Sequence, residues 1–457
     1  MYDRAKTTQI GVEIAYVYAL ALAFALIIVS ALVERRADTQ YKALLLNQLQ
    51  LGENMKFIMP FNIISWIKCD AILAQMKGNR PHWLALFSLV CFSGYSLAAT
   101  DNTTQPTREI LTQNGVILLY HHVSNHTPKS TSISPDMFKQ HMVYLKQHHT
   151  VLPLAKVVDA IQSKTPLPAN TVVITFDDGY ENILKNAHPI MVDMGFPYTI
   201  FINPGEIGTN RSQLTWAQVE AMHNDGVTFA NHTLDHLHML DGRVSYNGAD
   251  SGTNDEAWLN KVWQNVAEAE AIIDSKIGES LKYLAYPFGE FNQNLADKLA
   301  QEGYIAFGQH SGAVGPHSNF QALPRFPAAG PYANLTTLKT KLNSIAMPVL
   351  STSFEGEHIP EVNRDTVQGS SDESRVPPIT LTIKGDDVRL SQVNCFFSGS
   401  VVETNVEGNA VTFSITQALP VGRSRVNCTA PSNSQSGRYY WYSQPFFVAD
   451  KNGNYPD

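Results

Sequence analysis

Two short segments concentrate residues able to do chemistry. Thr175-Phe176-Asp177-Asp178-Gly179-Tyr180 sets two carboxylates side by side after an apolar run. Asn231-His232-Thr233-Leu234-Asp235-His236 sets two imidazoles four residues apart after another such run. Adjacent buried carboxylates are costly, because like charges repel and desolvation disfavours both charged forms. A metal ion relieves that cost: one carboxylate coordinates it while the other stays free to move a proton. On a helical turn, His232 and His236 share a face and reach the same ion. One carboxylate and two imidazoles leave a position open for water, the pattern of a catalytic rather than a closed structural site. Zn2+ suits these ligands best, and Co2+, Ni2+, Fe2+ or Mn2+ can occupy the same set. Taken singly, Asp-Asp-Gly is also a common surface turn, and a His pair at this spacing arises by chance on many helices. Their shared position after strand-like runs favours the site.

The elements around these segments alternate. Val116–Tyr120, Val172–Phe176, Tyr198–Ile202, Val227–Ala230 and Tyr283–Tyr286 read as buried strands. Met137–His148, Glu181–Met194, Trp216–His223, Trp258–Ile277 and Asn294–Glu302 read as helices, the first introduced by Ser134-Pro135 as cap and first turn. Near-continuous apolar strands alternating with helices predict a parallel sheet covered by helices. Over roughly 230 residues this fits an α/β fold of the (β/α) barrel kind, which carries its chemistry at the C-terminal ends of its strands.

The strand ending TFDDG, the following strand ending in NHTLDH, and the later Ala285-Tyr286-Pro287-Phe288-Gly289-Glu290 together resemble the NodB-homology polysaccharide deacetylases, carbohydrate esterase family 4. The resemblance covers about half the chain, from roughly Asn114 to Leu342, and implies a distorted barrel of the deacetylase type. It implies Asp177 as general base, with Asp178, His232 and His236 as metal ligands. The family's third element is usually Arg-x-Pro-Tyr. Here Phe288 replaces the Tyr, which costs nothing because the family uses that residue's backbone N–H in its oxyanion hole. Ala285 replaces the Arg that normally orients the catalytic Asp. Arg325 is the candidate substitute, with a structural ion pair as the other reading. Tyr120-His121-His122-Val123 resembles the opening strand of the poly-N-acetylglucosamine deacetylase branch, so either His lines the site or simply ends the strand. The family's late Leu-x-His motif, which supplies a general acid, is not evident. His310 and then His317 are the nearest candidates.

The resemblance implies hydrolysis of an acetamide on an N-acetylated glycan, with the metal lowering the pKa of water and Asp177 taking its proton. Poly-β-1,6-N-acetylglucosamine, chitin oligomers and peptidoglycan all present that group, and the branch favours a GlcNAc polymer. An O-acetyl esterase acting on xylan-like glycans is compatible with the same site. A catalytically silent glycan-binding protein is the reading from another class, and the presence of all three ligands and the base speaks against it. Trp216, Tyr180, Tyr286 and Phe288 are aromatic residues able to stack on sugars, though such residues more often form core.

Net charge is −8 and the isoelectric point is about 6.0, which argues against a nucleic-acid partner. Residues Gly11–Val33 are long and apolar enough to span a bilayer, which allows membrane association. Lys77 and Arg80, the apolar run Trp83–Leu97 and the small-x-small Ser96-Leu97-Ala98 read as a secretory signal peptide over residues 76–99. The favoured account starts translation at Met76, so that the extension 1–75 is not made. The rival is a form anchored by two hydrophobic segments. Val90 before Cys91 breaks the lipoprotein pattern. In either case the deacetylase domain, residues 100–347, is exported to the periplasm or beyond. Ser351–Pro378 is a linker or irregular first strand. The short alternating strands of the 348–457 region predict a small all-β sandwich. Cys395 and Cys428, facing each other across it in an exported protein, are expected to form a disulfide. Its Tyr439-Tyr440-Trp441-Tyr442 run reads as structural rather than as a sugar platform.

Overall fold

The computed structural model describes residues 111–241, 251–278, 281–354, 376–450 and 453–456. The N-terminal apolar span and the signal-peptide reading lie outside these residues. Among the described residues, no helix is long and apolar enough to cross a membrane.

The main sheet of the first half runs through β1 (Gly115–Tyr120), β2 (Thr171–Phe176), β3 (Thr199–Ile202), β4 (Thr228–Asn231), β5 (Tyr283–Ala285), β6 (Ile305–Phe307) and β7 (Phe326–Pro327). They lie in the order β6-β5-β4-β3-β2-β1-β7, every pair parallel. A two-residue strand at Thr150–Val151 adds to β2. The sheet curls into a half-barrel, and an isolated bridge joins Phe307 of the edge strand β6 to Leu323, three residues before β7. Every residue of β1 and β2 is buried, as expected of strands covered on both faces. Alternation along them feeds two cores. Ile117, Val173, Phe201 and Phe307 point one way, with Leu154, Val157 and Ile161 of the helix Leu154–Gln162. Leu118, Ile174, Phe176 and Ile200 point the other way, toward the outer helices.

Those helices are α1 (Pro135–His148), α2 (Leu154–Gln162), α3 (His188–Met194), α4 (Trp216–Asn224), α5 (Ser251–Ile277), α6 (Gln293–Gln301) and α7 (Leu335–Leu342). Ser134 caps α1 by accepting from the Met137 N–H, as its sequence predicts. The helix expected over Glu181–Met194 instead opens as a π turn, Ile183–Ala187, before α3. Pro189 has no N–H to give an i→i−4 ladder, and the His188 N–H reaches back five residues to Ile183.

The C-terminal half is sheet-rich. Strands β8 (Ser344–Ala346), β9 (Val349–Phe354), β10 (Ile379–Ile383), β11 (Asn394–Phe397), β12 (Ser400–Glu407), β13 (Ala410–Ser414), β14 (Gly422–Pro431) and β15 (Tyr439–Val448) follow the order β8-β15-β14-β11-β12-β13-β10-β9. Part of the expected linker, Ser351–Phe354, is strand β9 paired with β10. Cys395 and Cys428 form a disulfide. They do not face each other across two sheets: they are directly opposed on the neighbouring strands β11 and β14. This half shares core with the barrel. Phe447 packs on Phe291, and Trp441 meets Phe326 edge-on at 5.2 Å.

Candidate metal and catalytic site

The chemistry-bearing side chains gather where the barrel strands end. Asp177 and Asp178 follow β2, His232 follows β4, Tyr286 follows β5 and His121 follows β1. Backbone strain is concentrated here. Asp178, Thr233, His236 and Phe288 all hold φ between 51° and 71°, and Gly179 extends the bend after the Asp pair. Such backbone persists only where surrounding structure over-determines it.

The surrounding structure does so for the His segment. It is not a helical turn, as the four-residue spacing suggested, but an irregular loop bent at Thr233 and His236. Three asparagines pin it. Asn203 donates to the carbonyls of His232 and Thr233. Asn231 accepts from the Thr233 N–H and donates to Glu270 of α5. Asn265 of α5 accepts from the Leu234 N–H at 2.8 Å and donates to Asp235 at 3.0 Å.

The two carboxylates part company. Asp178 Oδ1 lies 3.2 Å from His232 Nε2 and 3.3 Å from His236 Nε2. One ligand atom from each of the three residues falls within a 4.8 Å span. His232 Nδ1 sits 2.7 Å from the Ala285 carbonyl. A carbonyl only accepts, so Nδ1 carries the proton in the neutral ring and Nε2 turns a lone pair toward Asp178. Two imidazole nitrogens and a carboxylate oxygen converging in this way fit a divalent cation. His232 is fully buried while the His236 side chain is 29% exposed, so the cluster opens on one side. Burial pushes the Asp178 carboxyl up, but the His232 and His236 imidazoles beside it outweigh burial and hold the group well below its ordinary range.

Asp177 turns instead to Arg325. The guanidinium grips both carboxylate oxygens, Nη1 to Oδ1 at 2.7 Å and Nη2 to Oδ2 at 2.8 Å, and its Nε donates to the Gly308 carbonyl. Both side chains are fully buried. Burial raises the Asp177 pKa, but the Arg325 charge and its hydrogen bonds overcome burial and hold the carboxyl below its usual range. The guanidinium that meets Asp177 thus comes from Arg325, position 285 being an alanine.

Phe288 stands at the rim, 4.7 Å from the His236 ring and stacked flat on His238 at 3.8 Å. The backbone hydrogen bonds of its turn run from Gly289 N–H to Tyr286 O and from Glu290 N–H to Pro287 O, leaving the Phe288 N–H outside them. His121, Phe288, Gln309 and His310 line one cleft together with Arg423 and Arg425 of β14. His121 faces both aspartates, yet burial dominates and lowers its pKa. Burial and then the Arg425 and Arg325 charges push the His310 pKa down to about 3. His317 is exposed and lines a separate cavity. Tyr286 is core, its hydroxyl donating to the Gln321 carbonyl, and Trp216 packs under Lys276. His122 stacks on Tyr180 at 3.6 Å and meets Asn182 Nδ2 at 2.9 Å.

Sequence reasoning did not single out Asn203, Asn265, His238, Glu290 or Arg423. His238, two residues past His236 and 2.8 Å from Glu290, had a local signal in the repeated histidines. The others act across long stretches of chain and had none.

The curled parallel half-barrel thus carries an Asp-Asp pair and two histidines where its strands end. Residues 164–307 match the family model for polysaccharide deacetylase, and the chain carries a NodB-type domain of that family. YxkH of Bacillus subtilis (strain 168) is 26% identical over 190 residues, 41% of this chain and 61% of its own length, so the chain spans less than two thirds of that relative. The poly-beta-1,6-N-acetyl-D-glucosamine N-deacetylase of Staphylococcus aureus (strain MSSA476) is 26% identical over 267 residues, 53% of this chain and 88% of its own. Among solved structures, Streptococcus pyogenes deacetylase PplD in complex with acetate is 22% identical with a TM-score of 0.43, covering 50% of this chain and 98% of PplD. IcaB from Ammonifex degensii is 21% identical with a TM-score of 0.43, covering 50% and 97%.

Proposed function

We propose that this protein is a metal-dependent hydrolase that removes N-acetyl groups from a GlcNAc-containing polysaccharide. The observation that carries the reading is the division of labour between neighbours: Asp178 joins His232 and His236, while Asp177 is held ionised by Arg325.

A divalent cation, Zn2+ first among the candidates, would supply Lewis acidity toward water and the acetamide carbonyl when held by Asp178, His232 and His236. Asp177 takes the proton of the attacking water, and Arg325 fixes the direction from which it does so. The Phe288 N–H donates to the carbonyl oxygen as that atom gains charge. The leaving amine needs a proton, and the one on Asp177 is at hand, since His121 and His310 are both held toward the neutral form.

The sequence relationship to a poly-β-1,6-N-acetylglucosamine deacetylase favours that polymer as substrate. The same reading places the protein outside the cytoplasm, with residues 100–347 as the catalytic domain and 348–457 as a β-sandwich. Strand β12 supports the sandwich: residues 400–402 pair with β11 and 403–407 with β13. The test is acetate release from poly-β-1,6-N-acetylglucosamine, chitin oligomers, peptidoglycan and acetylxylan. Release from a GlcNAc polymer supports the reading. Release from acetylxylan alone replaces it with an O-acetyl esterase, and silence on all four leaves a glycan-binding protein.

A further inference from the structure

We infer that Arg423, on strand β14 of the C-terminal half, is a positioning residue for the turn that presents the Phe288 N–H. The two halves of the chain then form one catalytic unit. This deepens the proposed function and rests on the role given there to Phe288.

Phe288 holds φ at 56°, a conformation a non-glycine residue keeps only when its surroundings enforce it. Part of the enforcement comes from the barrel, where His238 lies flat on the Phe288 ring. The rest comes from Arg423. Its Nη1 donates to the Phe288 carbonyl and, at 3.1 Å, to Gln309 Oε1. Its guanidinium lies 5.8 Å from the Phe288 ring centroid. Gln309 backs the next residue closely: a Cβ on Gly289 would stand 2.9 Å from Gln309 Cβ. One guanidinium therefore fixes the peptide after Phe288, its ring and the side chain behind the turn. Arg423 is itself well placed to do so, because its partner across the ladder, Phe447, is buried against Phe291 of the barrel. If the turn rotates, the N–H aimed at the acetamide oxygen rotates with it.

A residue that merely docked the two halves would behave differently. Arg438 supplies the comparison: it donates to the Asn343 and Ser344 carbonyls, outside the cleft that Phe288 lines. The full chain loaded with Zn2+ is assayed on a poly-β-1,6-N-acetylglucosamine oligomer as wild type, Arg423→Met, Arg423→Lys and Arg438→Met. Arg423→Met is expected to lower kcat by roughly 10–100-fold, the scale of a misplaced catalytic group, with KM and bound zinc within about 2-fold of wild type. Arg423→Lys should recover part of the loss, and Arg438→Met should leave kcat in place. An Arg423→Met enzyme with wild-type kcat overturns the inference. So does a loss matched by Arg438→Met, or one that tracks only the fraction of folded protein. A wild type inactive on every substrate instead removes the functional reading on which the inference stands.

Discussion

Arg325 holds Asp177 through both carboxylate oxygens, at 2.7 and 2.8 Å, across 148 residues of sequence and with neither side chain exposed. Removing one partner of such a buried pair strands the other charge, at a cost of about 3–5 kcal/mol. In the wild type the depressed Asp177 pKa contributes stability above the unfolded value of about 3.9, and that contribution is lost as pH falls through the folded pKa. In Arg325→Met the burial that raises the pKa loses its largest opponent. The stability deficit should then be greatest at neutral pH and shrink as the carboxyl protonates on acidification. Denaturant unfolding across the pH range checks this, and an equal deficit at all pH values contradicts it.

The same substitution should move the acid limb of the kcat/KM profile to higher pH, since Asp177 must be ionised to accept a proton. Activity of Arg325→Met should therefore fall off sooner on acidification than that of the wild type. An unshifted acid limb would mean that Asp177 is not the base.

Metal removal gives a third prediction. Dialysis against a chelator should abolish acetate release, and Zn2+ or Co2+ should restore it. Asp178→Asn, His232→Ala and His236→Ala should each lose bound metal in elemental analysis. Stoichiometric metal in all three would place the ion elsewhere.

Asn265 lies outside the ligand set but holds the loop between His232 and His236 at two points. Removing such a support typically weakens metal binding by about 10–100-fold, and Asn265→Ala is expected to do so while staying folded. A competition titration with a zinc-binding dye measures it; unchanged affinity would show that the positive-φ backbone alone sets the loop.

The parts of this site that sequence made legible are those whose partners are local. TFDDG and NHTLDH each carry their ligands within six residues, and the apolar runs before them mark the strands that deliver them. The family resemblance implied an Arg near Asp177, and Arg325 was a candidate for that reason. The manner in which the His pair converges was not. A spacing of four fits a helix, but Asn203, Asn231 and Asn265 bond the backbone into a bent loop, and the bonds from Asn203 and Asn265 span 29 to 31 residues of sequence. The pairing of Cys395 with Cys428 was legible while its geometry was not, because register between neighbouring strands is a tertiary property. Arg423 was invisible for the same reason: 135 residues separate it from Phe288.

The most direct measurement is metal-supported acetate release from a GlcNAc polymer by wild type and by Asp177→Asn, with bound zinc measured in both. The account predicts equal zinc and a fall in kcat of about 10²–10⁴-fold in the variant, the contribution of a general base. A variant that keeps both its zinc and its rate would contradict the assignment of Asp177 as the residue that moves the proton.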